Sequence, residues 1–273
     1  MTKKNPPLST NTGNIQTSDF APTVQERLEV VYGVARWHAR VDPMDELVSC
    51  ILSQHNSDIN TGRAFESLKR RYPTWEEVIS TPTEELISTI RHGGLANTKA
   101  PRIQKVLKRI LEDQGALSLK CLDDMTDLEA RAYLLSLPGV GPKTAAIVLS
   151  FALGRAALAV DTHIFRVAWR LGLIEKKIGE AKAHDALQAQ IAPENIYRFH
   201  VALITHGRQT CKAPTPRCPE CCLTDLCRSY AEGTYAKPDV LPENPPASSP
   251  PKPTVKKPRA PVGQETWRRR EAE

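Results

Sequence analysis

Apolar side chains recur every three to four residues, with polar positions between them, from about residue 23 to residue 235. That period predicts amphipathic helices, because a helix brings such positions onto one face. No stretch alternates strictly between apolar and polar residues as a β-strand would, and there is no internal repeat, so we expect an all-α fold. Helices are predicted at 23–40, 43–54, 58 or 60 to 71, 97–113, 127–137, from 142, 162–173, 179–191 and 195–207, with two short ones after residues 74 and 81.

Several helix starts are marked by a capping box. In this motif a Thr or Ser side chain and a Glu three residues later each bond the other's backbone N–H group. The pattern predicts boxes at Thr23 and Glu26, Thr74 and Glu77, Thr81 and Glu84, and Thr126 and Glu129.

The two ends of the chain differ from this helical region. Residues 1–22 are polar and residues 236–273 are rich in proline and basic side chains, so neither can build a core and both are predicted to be disordered. Two interpretations of the C-terminal tail stay open, a solvated tail or an accessory arm that binds phosphates.

Charge and hydropathy indicate the class of partner and the cellular location of the protein. The net charge of +6 and the sequence pI near 8.9 are a mild bias toward polyanionic partners. There is no N-terminal signal segment and no apolar run long enough to cross a bilayer. We therefore expect a soluble, intracellular protein without a membrane partner.

Five of the seven cysteines crowd between residues 211 and 227. An odd number without a secretion signal argues against a disulfide framework and favours a metal site. The spacing Cys211-x6-Cys218-x2-Cys221-x5-Cys227 suits either zinc or an iron–sulfur cluster, and spacing alone does not separate them.

The glycine-rich sequence LPGVGPKTA suggests a helix–hairpin–helix. Gly139 and Gly141, on either side of Val140, allow backbone dihedrals closed to other residues and the close approach of a partner. The N–H groups at the start of the following helix could then bind a phosphate. An ordinary helix-capping turn is the alternative.

Two charged residues near this hairpin suggest chemistry. Lys143 is predicted in the first turn of an otherwise buried helix, where the helix dipole and desolvation disfavour an ammonium and favour the nucleophilic amine. Asp161 could stabilise positive charge on a reacting sugar, could cap the next helix, or could do both. A lysine that only contacts phosphate is the alternative for Lys143.

LPGVGPKTA followed by VDTH resembles the helix-hairpin-helix–Gly/Pro–Asp DNA glycosylase superfamily, specifically its endonuclease III branch, over residues 25–230. The resemblance implies that Lys143 is the nucleophile and Asp161 the activating carboxylate. A lysine at this position favours a bifunctional glycosylase with lyase activity, because the adenine-mismatch branch has another group there. The resemblance also implies a [4Fe–4S] cluster held by the cysteine motif. Cys222, adjacent to Cys221, is interpreted as a bystander, and a substitute ligand is the alternative.

Further residues resemble the family's DNA contacts. Leu95, in the sequence HGGLANTKA, stands at the position of the apolar wedge that enters the duplex where the target base leaves. The glutamine that fills the vacated space in endonuclease III aligns with His55, one position after Gln54, so either residue could make that contact. A core leucine and a buried polar turn are the alternatives. Lys212 and Arg217 could present positive charge to a DNA backbone or belong to a solvated loop.

The sequence thus predicts two helical lobes with a DNA-binding groove between them. One comprises residues 42–151 with the hairpin, and the other residues 23–41 and 152–235 with the cluster. The expected function is a monomeric DNA glycosylase and AP lyase of the bacterial cytoplasm and nucleoid, acting on oxidised pyrimidines such as thymine glycol in duplex DNA. The competing hypotheses are a glycosylase for uracil or thymine opposite guanine and a non-catalytic DNA-binding protein.

Overall fold

The computed structural model describes residues 19–38 and 41–235. Within those ranges the chain forms helices joined by short turns and contains no strand, so the all-α prediction is confirmed. A π-helical turn over Val148–Ala152 continues α8. The helices are α1 (Phe20–Tyr32), α2 (Pro43–Ser53), α3 (Asp58–Arg71), α4 (Trp75–Ser80), α5 (Thr83–Thr89), α6 (Ala96–Gln114), α7 (Asp127–Ser136), α8 (Pro142–Ile147), α9 (Thr162–Leu171), α10 (Gly179–Gln188), α11 (Ile196–Gln209) and α12 (Arg228–Ala231).

Helices α2 to α8 enclose one hydrophobic core, and we name this part the hairpin lobe. The apolar stripe predicted for α6 is fully buried there, at Ile103, Val106, Leu107 and Ile110. Each such side chain contributes about 1.5–3 kcal/mol when it leaves water. The period of apolar residues in this segment therefore identified the face that packs inward.

Helix α1 and helices α9 to α12 enclose a second core, which we name the cysteine lobe. Helix α11 packs against both α9 and α1, with Phe199 and Leu203 fully buried. Val24 and Leu28 of α1 are fully buried in the same core. The first helix thus shares a core with the last ones, and the prediction of two helical lobes is confirmed.

Among the described residues, two ion pairs join helices of one lobe to helices of the other. Arg208 of α11 contacts Asp58 at the start of α3, 3.3 Å apart, and Arg131 of α7 contacts Asp185 of α10, 2.8 Å apart. All four side chains are partly exposed, so each pair contributes only about 0–1 kcal/mol of stability. Their effect is to orient one lobe against the other.

The first helix begins earlier than predicted. It starts at Phe20, so Thr23 lies inside it and donates its hydroxyl to the Asp19 carbonyl at 2.7 Å. The capping box predicted at Thr23 and Glu26 is wrong. Ala21, only 1% exposed, packs into the cysteine lobe and extends the helix toward the N-terminus.

The same helix also ends earlier than predicted, at Tyr32 and not at Arg40. Gly33 stops it with φ of +83°, a conformation that favours glycine. Trp37 lies in the non-helical segment that follows. Its nearest ring carbons lie 2.9 Å from the position that a Cβ on Gly154 would occupy. The indole N–H of Trp37 also donates to the Phe151 carbonyl at 3.0 Å, so this segment is attached to the turn that follows α8.

The disorder prediction for the N-terminal tail is wrong for residues 19–22, which lie at the start of α1. The rest of both predicted tails, residues 1–18 and 236–273, lies outside the described residues. Among the helices described, none combines the length and apolar composition needed to span a bilayer.

Two of the other capping boxes form as predicted. At Thr74 and Thr126 the hydroxyl accepts from the N–H of the glutamate three residues later, and that glutamate bonds back. The box predicted at Thr81 is wrong. Its hydroxyl donates to the Glu77 carbonyl at 2.7 Å, and α5 starts behind Pro82 without a side-chain cap.

Candidate active site and cysteine cluster

The hairpin between α7 and α8 depends on one glycine more than on the other. Gly139 has φ of +80°, and a Cβ there would stand 2.6 Å from Cδ of Arg102, so only glycine fits. Gly141 has an ordinary φ of −101°, so the prediction that its dihedrals are closed to other residues is wrong. No atom lies within 4 Å of the position of its missing Cβ. That glycine leaves open space for a partner, while Val140 is buried between the two.

Lys143 lies in the first turn of α8, as predicted. Gly141 is the N-cap and Pro142 the first helical residue. The three residues after the lysine, Thr144 to Ala146, are buried, but Lys143 itself is exposed. The expected desolvation of its ammonium is therefore wrong, because the side chain leaves the core at the helix end. The amine is open to solvent and to any molecule that reaches this surface.

Asp161 caps α9 from the other lobe. Its Oδ1 accepts from the Ile164 N–H at 2.8 Å, which is the N-cap role considered from the sequence. The residue is only 8% exposed. A carboxylate fixed in this way has one oxygen committed to the helix.

A buried histidine, His200, lies within electrostatic range of both Lys143 and Asp161. Nδ1 of His200 lies 2.9 Å from the Ala159 carbonyl, so this nitrogen carries the proton and donates. Burial lowers the pKa of His200 to about 4; nearby Asp161 raises it, and nearby Lys143 lowers it again. Lys143 and Asp161 therefore both lie within electrostatic range of this imidazole. His200 was not predicted, since a lone histidine on an amphipathic helix gives no sequence signal.

The two loops predicted to enter DNA have unusual backbone conformations. His55 and Leu95 have φ of +52° and +50°, and they are the two non-glycine residues with positive φ in the part of the chain described. Such residues cost about 1–3 kcal/mol of strain, and they concentrate at functional sites. Leu95 is 58% exposed, which supports the wedge prediction over a core leucine. Gln54, by contrast, accepts from Nη1 of Arg102 at 2.5 Å.

Four cysteines of the predicted motif line one cavity. It is enclosed by Cys211, Cys218, Cys221 and Cys227 together with Arg170, His206 and Tyr235. Cys222 is not among its lining residues, and its thiol lies 4.0 Å from the Arg27 carbonyl. No three His, Cys, Asp or Glu side chains of the described residues meet around a single metal-ion position. The thiols surround a space, and the bystander interpretation of Cys222 fits its orientation.

Two of these thiols accept hydrogen bonds from N–H groups. Arg170, 5% exposed, donates to Sγ of Cys211 at 3.3 Å, and the Leu223 N–H donates to Sγ of Cys221 at 3.4 Å. Burial, followed by repulsion from the neighbouring cysteines, raises the pKa of Cys221 to about 12. A thiolate would form there only with a compensating cationic centre, and a metal centre supplies one.

Lys212 and Arg217 lie beside this cavity. In sequence they are far from the glycines of the hairpin. Arg217 has a half-exposed side chain with its Nη1 3.7 Å from Glu220. Lys212 is partly buried, and its carbonyl accepts from Arg170 at 2.9 Å. The structure does not bring either side chain into contact with Lys143, so their predicted DNA contacts depend on how far a duplex extends.

Comparisons with known proteins show which family the chain resembles. Residues 48–193 match the HhH-GPD superfamily base excision DNA repair protein model. The chain is 38% identical over 187 residues to endonuclease III of Bacillus subtilis (strain 168), covering 68% of this chain and 81% of that protein. It is 34% identical over 203 residues to endonuclease III of Thermotoga maritima, covering 74% and 90%.

A solved structure is also similar. It is a trapped endonuclease III–DNA covalent intermediate, with a TM-score of 0.68 and 31% identity, covering 81% of this chain and 100% of that chain. The chain therefore belongs to the HhH-GPD superfamily of base excision DNA repair proteins, and within it to the endonuclease III enzymes.

Proposed function

We propose that the protein is a monomeric, bifunctional DNA glycosylase and AP lyase that removes oxidised pyrimidines such as thymine glycol from duplex DNA. The observation that supports this most directly is an exposed amine, Lys143, in the first turn of the helix after the hairpin, together with a buried carboxylate, Asp161, at the N-cap of α9. The similar solved structure is of an endonuclease III joined covalently to DNA, which supports a covalent mechanism here.

In this proposal the hairpin holds the DNA backbone. The first N–H groups of α8 have no carbonyl acceptor within the helix, and they carry partial positive charge. A phosphate can therefore bind there. Open space at Gly141 allows a close approach, and Gly139 and Val140 fix the turn that aims those groups. Lys212 and Arg217 add salt-sensitive phosphate contacts farther along the duplex.

The damaged base must then leave the helical stack before it can be reached. The exposed, left-handed Leu95 enters the duplex as a wedge at that position. His55 fills the space that the base vacates. Gln54 is the less suitable candidate, because its amide oxygen is already engaged by Arg102.

Bond cleavage starts as positive charge develops on the sugar, and Asp161 stabilises that charge. The ammonium of Lys143 first gives up a proton to water. Its amine then bonds to C1′, and the base leaves with the electron pair of the glycosidic bond and takes up a proton. Loss of the amine proton and opening of the sugar ring give an imine, which acidifies the C2′ protons. Removal of one of them breaks the C3′–O bond and cleaves the strand on the 3′ side.

We further propose that Cys211, Cys218, Cys221 and Cys227 hold a [4Fe–4S] cluster. Four thiols around one cavity match the donor set of such a cluster, and the charge of Arg170 lies beside them. A cluster closed by four cysteines leaves no open position for substrate, so its contribution is to the structure of this lobe and to the placement of its DNA-facing loop.

Borohydride trapping tests the lyase. Incubation of the protein with a duplex that contains one abasic site, in the presence of borohydride, should reduce the imine and leave protein covalently joined to DNA. Peptide mapping should place the adduct on Lys143. The absence of any adduct and of any strand cleavage would reject the lyase and leave the non-catalytic DNA-binding protein as the better hypothesis.

The substrate is tested with a panel of duplexes, each with a single modified base. Single-turnover excision should be faster for thymine glycol and other oxidised pyrimidines than for uracil or thymine opposite guanine. The reverse order would replace this substrate class with that of a mismatch glycosylase.

The cluster has a spectroscopic test. The purified protein should be yellow-brown, with a broad absorption band reaching into the visible and about four iron atoms per chain. Cys218→Ser should lose the band. Cys222→Ser is the matched control and should keep it, because that thiol faces Arg27 and not the cavity. A colourless protein loaded with zinc would contradict the assignment.

A further inference from the structure

A buried lysine joins the two loops that carry the strained residues. Lys99, in the first turns of α6, is only 2% exposed. Its Nζ donates to the Leu52 carbonyl and to the Gly93 carbonyl, each at 2.6 Å. Leu52 stands three residues before His55, and Gly93 stands two residues before Leu95. One ammonium therefore fixes the spacing of both loops.

An arginine one turn later on the same helix extends this arrangement. Nη1 of Arg102 donates to Oε1 of Gln54, and the arginine stem fills the space beside Gly139. The segments of His55 and of the hairpin are thus attached to one helix face, next to Lys99. The early turns of α6 serve as a common support for three segments that the proposed function places against DNA.

Burial of the Lys99 ammonium near a helix N-terminus costs free energy, which its hydrogen bonds must offset. A cation at a helix N-terminus opposes the helix dipole, and an ammonium buried in an apolar core costs free energy unless acceptors bind it. Lys99 also stands four residues before Ile103, on the apolar face of α6. Bonds to the Leu52 carbonyl at the end of α2 and to the Gly93 carbonyl offset these costs. They hold the segments that lead into His55 and Leu95, the two residues whose φ is itself strained.

We propose that Lys99, assisted by Arg102, is a positioning residue for base extrusion. It sets the separation of the His55 and Leu95 loops, so that both side chains enter the duplex at the same base pair. This inference rests on the proposed function. It concerns extrusion alone, because Lys99 is buried and does not touch the reacting sugar.

The test compares a paired lesion with an unpaired one in Lys99→Met. Excision of thymine glycol opposite adenine should slow by about 10- to 100-fold, the size of effect that a misplacement of about 1 Å produces. Excision of the same lesion opposite an abasic spacer should change little, because an unpaired base needs less work to extrude. Lys108→Met, an exposed lysine on the same helix, is the matched control for charge and should behave like wild type.

Equal losses on the two substrates, or no loss on either, would overturn the positioning role. If thermal melting shows that Lys99→Met does not fold, Arg102→Met takes its place in the same comparison, because that side chain is only partly buried. A selective loss on the paired lesion is expected there as well. If wild type excises neither lesion, it is the proposed function that fails and not the positioning inference.

Discussion

Replacing Lys143 with alanine is expected to abolish the borohydride adduct and to slow strand cleavage at an abasic site by about 10³-fold or more, as loss of a nucleophile does. The side chain is exposed and makes no core contact, so the variant should fold and melt like wild type. Its affinity for an abasic duplex should change only modestly, because the hairpin's N–H groups remain. Gel analysis after borohydride treatment and fluorescence anisotropy measure the two quantities.

Lys177→Ala provides the matched control, since this lysine is also exposed but lies before α10 in the cysteine lobe. It should keep both the adduct and the cleavage rate. An adduct that forms at the wild-type rate in Lys143→Ala would place the nucleophile on another amine.

Asp161→Asn is expected to lower the single-turnover rate of base excision by about 10²- to 10³-fold, because the charge that stabilises the developing cation is removed. The variant should retain its stability, since asparagine caps a helix about as well as aspartate does. Strand cleavage at a preformed abasic site should be affected much less, because no glycosidic bond needs to break there. Excision and cleavage assays with matched duplexes measure the difference.

Asp161→Ala separates the two roles of this carboxylate. It should show the same loss of excision and, in addition, a stability loss of about 1 kcal/mol from the missing cap of α9. Equal excision rates in Asp161→Asn and wild type would show that the negative charge is not required.

Features governed by neighbouring residues were predictable from the sequence. The capping boxes at Thr74 and Thr126 form because their partners lie three residues away and need no help from the rest of the fold. The cap at Asp161 and the apolar stripe of α6 are local in the same sense. The cysteine spacing likewise predicted a group of thiols that share one cavity.

Features set by tertiary packing were not predictable. The exposure of Lys143 depends on where α8 leaves the core, and the conformation of Gly141 depends on the hairpin as a whole. The pairing of Arg208 with Asp58 joins segments from different lobes. Lys99 gave one usable signal, a cation at helical spacing from a buried isoleucine, although its two carbonyl partners cannot be read from the sequence.

The shared core of α1 and the C-terminal helices has a consequence for synthesis of the chain on the ribosome. The hairpin lobe is one continuous stretch and can close as soon as it emerges. Helix α1 emerges first, but its ion-pair partners come far later: Arg198, which binds Glu29, lies 169 residues on, and Asp225, which binds Arg27, lies 198 residues on. Its apolar face has no partner until then. Asp225 lies between Cys221 and Cys227, so a segment made near the end of the described chain is also the one that binds the first helix.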